Sequence, residues 1–141
     1  MRYRFENHEV WQFAMAFADQ AYAIATCLPA SEDFNLKSQL RRAATSIALN
    51  IAEGSTSQTN PEQARFVNLA IRSLIECIAC LRLIQRRRYV ATTEDLDAFD
   101  QRAEVLLSKL IAFRRAVQAS TATVRETEIT YETAENAAVA P

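Results

Sequence analysis

Residues 36–66, LKSQLRRAATSIALNIAEGSTSQTNPEQARF, decide how this chain folds. Leu36, Leu40, Ala43, Ile47 and Ile51 recur at steps of three and four, the spacing of one helix face. Gly54, the only glycine in the chain, follows them where a left-handed C-terminal cap is expected. A polar loop from Ser55 to Thr59 then meets Asn60-Pro61-Glu62-Gln63. That tetrad reads as an N-cap, a proline at the first helical position and a glutamine returning to the cap. Two helices joined by so short a loop are expected to lie antiparallel.

The same pattern extends in both directions. Upstream, Val10, Phe13, Phe17, Ala21, Ile24 and Leu28 form an apolar face, with Asn7 placed to cap the helix and Pro29 to end it. A second stripe, Trp11, Met15, Ala18 and Tyr22, lies one position round. A bundle of four helices needs about one apolar face per helix, so Trp11, Met15 and Tyr22 are expected at a contact between subunits. The third helix places Phe66, Leu69, Ala70, Ser73, Cys77, Leu81 and Ile84 on its core side, with Val67, Ile71, Leu74 and Ile78 beside them. Downstream of Thr92 and Thr93, either of which can cap, Leu96, Phe99, Ala103, Leu106, Leu110, Phe113 and Val117 form a coiled-coil-like seam. Acidic residues at its start (Glu94, Asp95, Asp97, Asp100) and Arg114 and Arg115 at its end complement the helix dipole. The fold class is therefore all-α: an up-and-down antiparallel four-helix bundle over residues 1–118, with helices near 8–28, 36–53, 61–87 and 93–118. Residues 119–141 are expected to form a flexible acidic tail.

Half of the 141 residues are apolar, enough for one packed domain without disulfide or metal staples. A single glycine excludes Gly-rich phosphate loops and makes tight hairpins improbable. The net charge of −1 divides unevenly: residues 1–118 carry 15 basic and 13 acidic side chains, whereas residues 119–141 set Arg125 against four glutamates. Three cysteines, no apolar leader and no run of 18 apolar residues point to a reduced, cytoplasmic protein with no membrane segment.

Groups suited to catalysis are sparse. His8 is the only histidine, so a His-based relay or a two-His metal site would need a second chain. Cys77 and Cys80 fall in the middle of the third helix, where a buried pair of small hydrophobes is expected rather than a redox or zinc site. Glu53 and Glu76 are the carboxylates of interest, yet no histidine follows either at the spacing of a di-iron bundle. No enzyme activity, metal or cofactor is expected. Basic groups are more suggestive: Lys37, Arg41 and Arg42 gather early in the second helix, and Arg86, Arg87 and Arg88 at the end of the third. The second trio also satisfies helix-terminal carbonyls. Copied by symmetry in an oligomer, either trio becomes a ring of charge able to bind phosphates.

Four stretches carry a family resemblance: FENHEVW at 5–11, QLRRAATSI at 39–47, NIAEG at 50–54 and SLIE at 73–76. In order and spacing they resemble the bacterial ribosomal RNA intervening-sequence proteins, over about residues 5–117. The resemblance implies an all-α up-and-down bundle that assembles into a ring-like homopentamer, often encoded within intervening sequences of large-subunit ribosomal RNA genes, with no established enzymatic activity. It marks Arg41, Arg42, Asn50, Glu53, Gly54 and Glu76 as the positions to watch. A related branch, the accessory protein of diversity-generating retroelements, is a basic pentamer that binds nucleic acid and a reverse transcriptase, which extends here only by analogy. Four positions depart from the family pattern: Asn35, Arg72 and Arg88 stand where glycine is frequent, and Ala48 where proline is. The expected function is thus a non-catalytic oligomer that binds RNA or DNA through a basic surface. The alternative is a protein–protein scaffold with no nucleic-acid role.

Overall fold

The computed structural model describes residues 3–90 and 92–138, with side chains through Ser120. Four helices follow one another: α1 (Glu9–Thr26), α2 (Leu36–Gly54), α3 (Asn60–Arg87) and α4 (Thr93–Ala138), with 3-10 turns at Arg4–Asn7 and Ala30–Glu32. No strand occurs among the described residues. Each helix packs on its two neighbours, α1 closing the set against α4, and among the described residues no Cα atoms of the diagonal pairs α1–α3 and α2–α4 come within 8 Å. Cross-helix pairs descend in register: Glu9 meets Lys109 while Phe17 stacks on Phe99, and Asn68 meets Arg114 while Arg82 meets Asp100. The bundle is therefore antiparallel and up-and-down.

Its core is a continuous cluster from Val10 to Leu110. Phe17 and Phe99 stack with ring centroids 4.5 Å apart. Around them Leu40, Ile47, Leu74, Leu81, Ile84, Leu106 and Leu110 are fully buried. Each such side chain contributes about 1.5–3 kcal/mol by leaving water. Small residues fill part of the core on both α1 and α2: Ala14, Ala21 and Ala25 on one helix and Ala43, Ala44 and Ala48 on the other are all buried. On α1 the core position falls to Ala14 rather than Phe13, which stays 37% exposed. On α3 Ala70, Cys77, Leu81 and Ile84 are buried as expected and are joined by Ala64, Val67, Leu74 and Cys80, whereas Phe66, Leu69 and Ser73 are half-buried. Both stripes of α3 are apolar, so periodicity cannot choose between them and the flanking helices do.

Helix ends differ from expectation for identifiable reasons. Gly54 is the last residue of α2 and has no positive φ. Space is what it supplies: a Cβ there would stand 2.8 Å from Cβ of Phe66, where α2 and α3 meet beside their loop. The left-handed cap is instead Arg88, at φ 55° and ψ 40°, closing α3. Thr59, not Asn60, caps the start of α3, its hydroxyl accepting from the Glu62 N–H at 3.3 Å. His8 occupies the cap of α1 because Asn7 is taken into the preceding 3-10 turn. Asn35, expected to tolerate the left-handed region, sits at φ −126° and donates its amide to Glu32. The backbone of α4 continues past residue 118 into the segment expected as a tail, whose side chains beyond Ser120 lie outside the described residues. Its alanines and glutamates are good helix formers.

Candidate nucleic-acid interface

Along α2, Gln39, Arg42, Ser46, Asn50 and Glu53 recur at three and four residues, so they share one outward face. Two shallow grooves flank it. One, of about 430 Å³, lies toward α1 and is lined by Tyr22, Arg42, Thr45, Leu49, Asn50 and Glu53. The other, of about 310 Å³, lies toward α3 and is lined by Gln39, Arg42, Ser46 and Glu76. Arg42 borders both. Hydrogen bonds tie this face to α3: Gln39 Nε2 donates to Glu76 Oε1 at 3.0 Å and Ser73 Oγ to Ser46 Oγ at 2.9 Å. Within α2, Asn50 Nδ2 donates to the Ser46 carbonyl at 2.8 Å and to its hydroxyl at 3.0 Å. The motif residues Arg42, Asn50, Glu53 and Glu76 are thus gathered on one polar seam, with Gln39, Ser46 and Ser73 between them. Its signal in the sequence was a polar stripe of helical period, parallel to the apolar one.

The first basic trio divides. Lys37 is ion-paired with Asp33 one turn earlier. Arg41 turns toward α1, its guanidinium carbon 5.6 Å from the Tyr22 ring centroid, while its buried Nε finds no hydrogen-bond partner. Such a stacked cation contributes about 0.5–2 kcal/mol. Arg42 is exposed and in no ion pair among the described residues. Arg86, Arg87 and Arg88 are exposed at the end of α3. α2 begins at that same end, so both trios occupy one half of the bundle. α4 also begins there, however, and its acidic first turns sit close by: Arg82 pairs with Asp100, and Arg88 shares a cleft of about 390 Å³ with Asp97. The surface is mixed rather than uniformly basic.

The end itself is pinned by a buried carboxylate. Glu32 accepts from the Tyr89 hydroxyl at 2.8 Å, the Asn35 amide at 2.9 Å and the Leu36 N–H at 3.2 Å. The Tyr89 hydroxyl, the Leu36 N–H, Asn35 and the charge of Arg87 hold Glu32 below its ordinary value, against an opposing effect of desolvation. The same bond raises Tyr89. Nothing in the sequence pattern flagged this pair, because its members are 57 residues apart.

Of the residues expected at a subunit contact, Met15 is 43% and Tyr22 45% exposed. Tyr22 reaches Thr45 across a 3.2 Å hydrogen bond. Trp11 is partly covered from within the chain, its ring 4.7 Å edge-on from Phe5 of the first 3-10 turn. That turn, which sequence periodicity does not register, removes part of the need for an external cover.

Other groups carry no convergent chemistry. Glu53 lies fourteen residues from Gln39, the partner of Glu76, or about 21 Å along α2, so the two carboxylates do not meet. Cys77 and Cys80 are buried, and desolvation pushes both thiols up, away from the reactive thiolate. His8 rests 5.3 Å from the Phe113 ring, and burial, aided by Arg4, lowers it from 6.5. Among the described residues no three His, Cys, Asp or Glu side chains are grouped to hold a metal ion. Nor is any described helix long and apolar enough to cross a membrane.

The family model for the 23S rRNA-intervening sequence protein matches residues 6–112. Among solved structures the chain is similar to a protein with unknown function from the S23 ribosomal protein family of Bacteroides thetaiotaomicron, with 23% identity and a TM-score of 0.69. That likeness covers 75% of this chain and 95% of the other, and at such identity it speaks for the fold. No curated protein matches the chain.

Proposed function

This chain belongs to the 23S rRNA-intervening sequence protein family, and on that premise we propose that it is a non-catalytic, homo-oligomeric bundle that contacts RNA or DNA through its arginine-bearing half. The observation that carries the reading is the grouping of Arg41, Arg42, Arg86, Arg87 and Arg88 in one half of the bundle, none ion-paired among the described residues. One copy also bears the acidic start of α4, so a single bundle presents only a few free charges. A ring multiplies them, and five copies are the number the family resemblance implies. Phosphate binding scales with the charges neutralised, so affinity rises steeply with assembly.

The test is binding to generic RNA and DNA across a salt series, for the wild type and for an Arg42→Glu, Arg86→Glu, Arg87→Glu variant. The expected result is a linear fall of log affinity with log salt and a shallower slope in the variant. Absence of binding at low salt, or binding indifferent to salt and substitutions, refutes the reading. A second reading, a protein scaffold, is favoured by the exposed apolar residues Met15, Tyr22 and Leu49. It predicts retention of a protein partner by the triple variant as well as by the wild type.

A further inference from the structure

Arg88 is the one residue among those described with a positive φ, and its side chain lines the cleft between the end of α3 and the start of α4. A left-handed backbone is unfavourable for a residue that bears a side chain, and such outliers gather at functional sites. The conformation is firmly held. The Arg88 N–H closes α3 on the Gln85 carbonyl at 3.2 Å, the Tyr89 N–H reaches the Ile84 carbonyl at 3.4 Å, and the Tyr89 hydroxyl is tied to Glu32. Arg88 is thus fixed at the cleft from both sides of the chain.

The cleft has a volume of about 390 Å³, within the range of about 300–1,000 Å³ found for small-molecule sites. Leu96, which is buried, and Val90, which is half-buried, give it an apolar floor. Its polar members are one cation, Arg88, one anion, Asp97, and the uncharged Thr93 and Gln85. Neither charge is in an ion pair among the described residues. Neighbouring charges are already engaged: Arg82 pairs with Asp100 and donates to Gln85 Oε1 at 3.3 Å, and Asp95 accepts from the Thr92 hydroxyl.

Two unlike charges on one apolar floor, not joined to each other, are matched by a molecule that carries both charges beside an aliphatic chain. A guanidinium takes a carboxylate through parallel N–H bonds, and a carboxylate takes an ammonium. We propose that this cleft binds a free α-amino acid with an aliphatic side chain, its carboxylate on Arg88, its ammonium on Asp97 and its chain against Val90 and Leu96. The site is separate from the nucleic-acid reading, whose test substitutes Arg42, Arg86 and Arg87 and leaves both charges of the cleft in place.

The experiment follows the backbone amide NMR shifts of the full chain during titration with L-leucine, with isocaproate, which lacks the ammonium, and with isoamylamine, which lacks the carboxylate. L-leucine is expected to shift Val90, Thr93 and Asp97 saturably. Each half-ligand is expected to bind about tenfold more weakly, the loss of one charge-assisted contact. Arg88→Gly frees the backbone and Asp97→Asn keeps the shape; each is expected to weaken L-leucine about tenfold with helical content unchanged by circular dichroism. Arg88→Gln repeats the first loss without the freedom of glycine. Arg88→Gly should no longer distinguish L-leucine from isoamylamine, nor Asp97→Asn L-leucine from isocaproate. No saturable shift at tens of millimolar L-leucine overturns the site. So does a half-ligand that binds the wild type as tightly as L-leucine, or L-leucine binding that either charge-removing variant leaves unchanged.

Discussion

Arg88 holds φ 55° and ψ 40° without the freedom of glycine, so its backbone bears a strain of about 1 kcal/mol. Arg88→Gly is accordingly expected to stabilise the fold by about 1 kcal/mol, seen as a rise of a few degrees in thermal midpoint. A lower midpoint would mean that the Arg88 side chain contributes more than its backbone costs. At Gly54 the balance runs the other way. Alanine gains about 1 kcal/mol of helix propensity there, but its Cβ must displace the Phe66 Cβ, an atom next to the backbone that cannot swing aside. Overpacking of this kind costs about 1–3 kcal/mol, so Gly54→Ala is expected to lose up to about 2 kcal/mol net in urea denaturation. An unchanged midpoint would show that the hairpin opens to admit the methyl group.

At the scale of elements, the link between α1 and α2 is stapled to the end of α3 by Glu32 and Tyr89. Folding lowers Glu32 from its ordinary 4.5, mainly through the Tyr89 hydroxyl and then the Leu36 N–H, so the native state favours the charged form. Its stabilisation is present above about pH 4.5 and is lost as pH falls through the lower native value. Glu32→Gln should therefore melt below the wild type near neutral pH, and the gap should close in acid; a gap constant down to about pH 3 would sink the assignment. The seam on α4 was legible but for one residue: Leu96, Phe99, Ala103, Leu106, Leu110 and Val117 are all buried, and Phe113 is half-buried. α1 and α3 each carry two apolar stripes, and which one faces inward depends on neighbours that a local pattern does not contain. The polar seam of α2 had the same helical period as the core face, yet its hydrogen bonds to Ser73 and Glu76 needed the register of the α2–α3 pair.

At the scale of the whole molecule, Val117 is the last buried side chain among the described residues. A chain ending at residue 118 keeps every buried side chain among the described residues and is expected to melt within about 3 °C of the full length. A larger drop would place residues 119–141 in the folding unit. The division of charge was legible as a sum over segments, but its geometry was not: α2 begins where α3 ends and α4 begins, so the arginines of α2, far away in sequence, share one end with the carboxylates of α4. Six buried alanines on α1 and α2 also govern how such a protein drifts over generations. A leucine at Ala14, Ala21, Ala25, Ala43, Ala44 or Ala48 overfills a contact with no slack, at about 1–3 kcal/mol for each change, against a total stability of about 5–15 kcal/mol. Those sites are screened by size, one at a time, while exposed positions outside the hydrogen-bonded seam of α2 and α3 meet no such limit. Neutral divergence is then channelled to the surface, and lineages that share this backbone are left free to meet quite different partners.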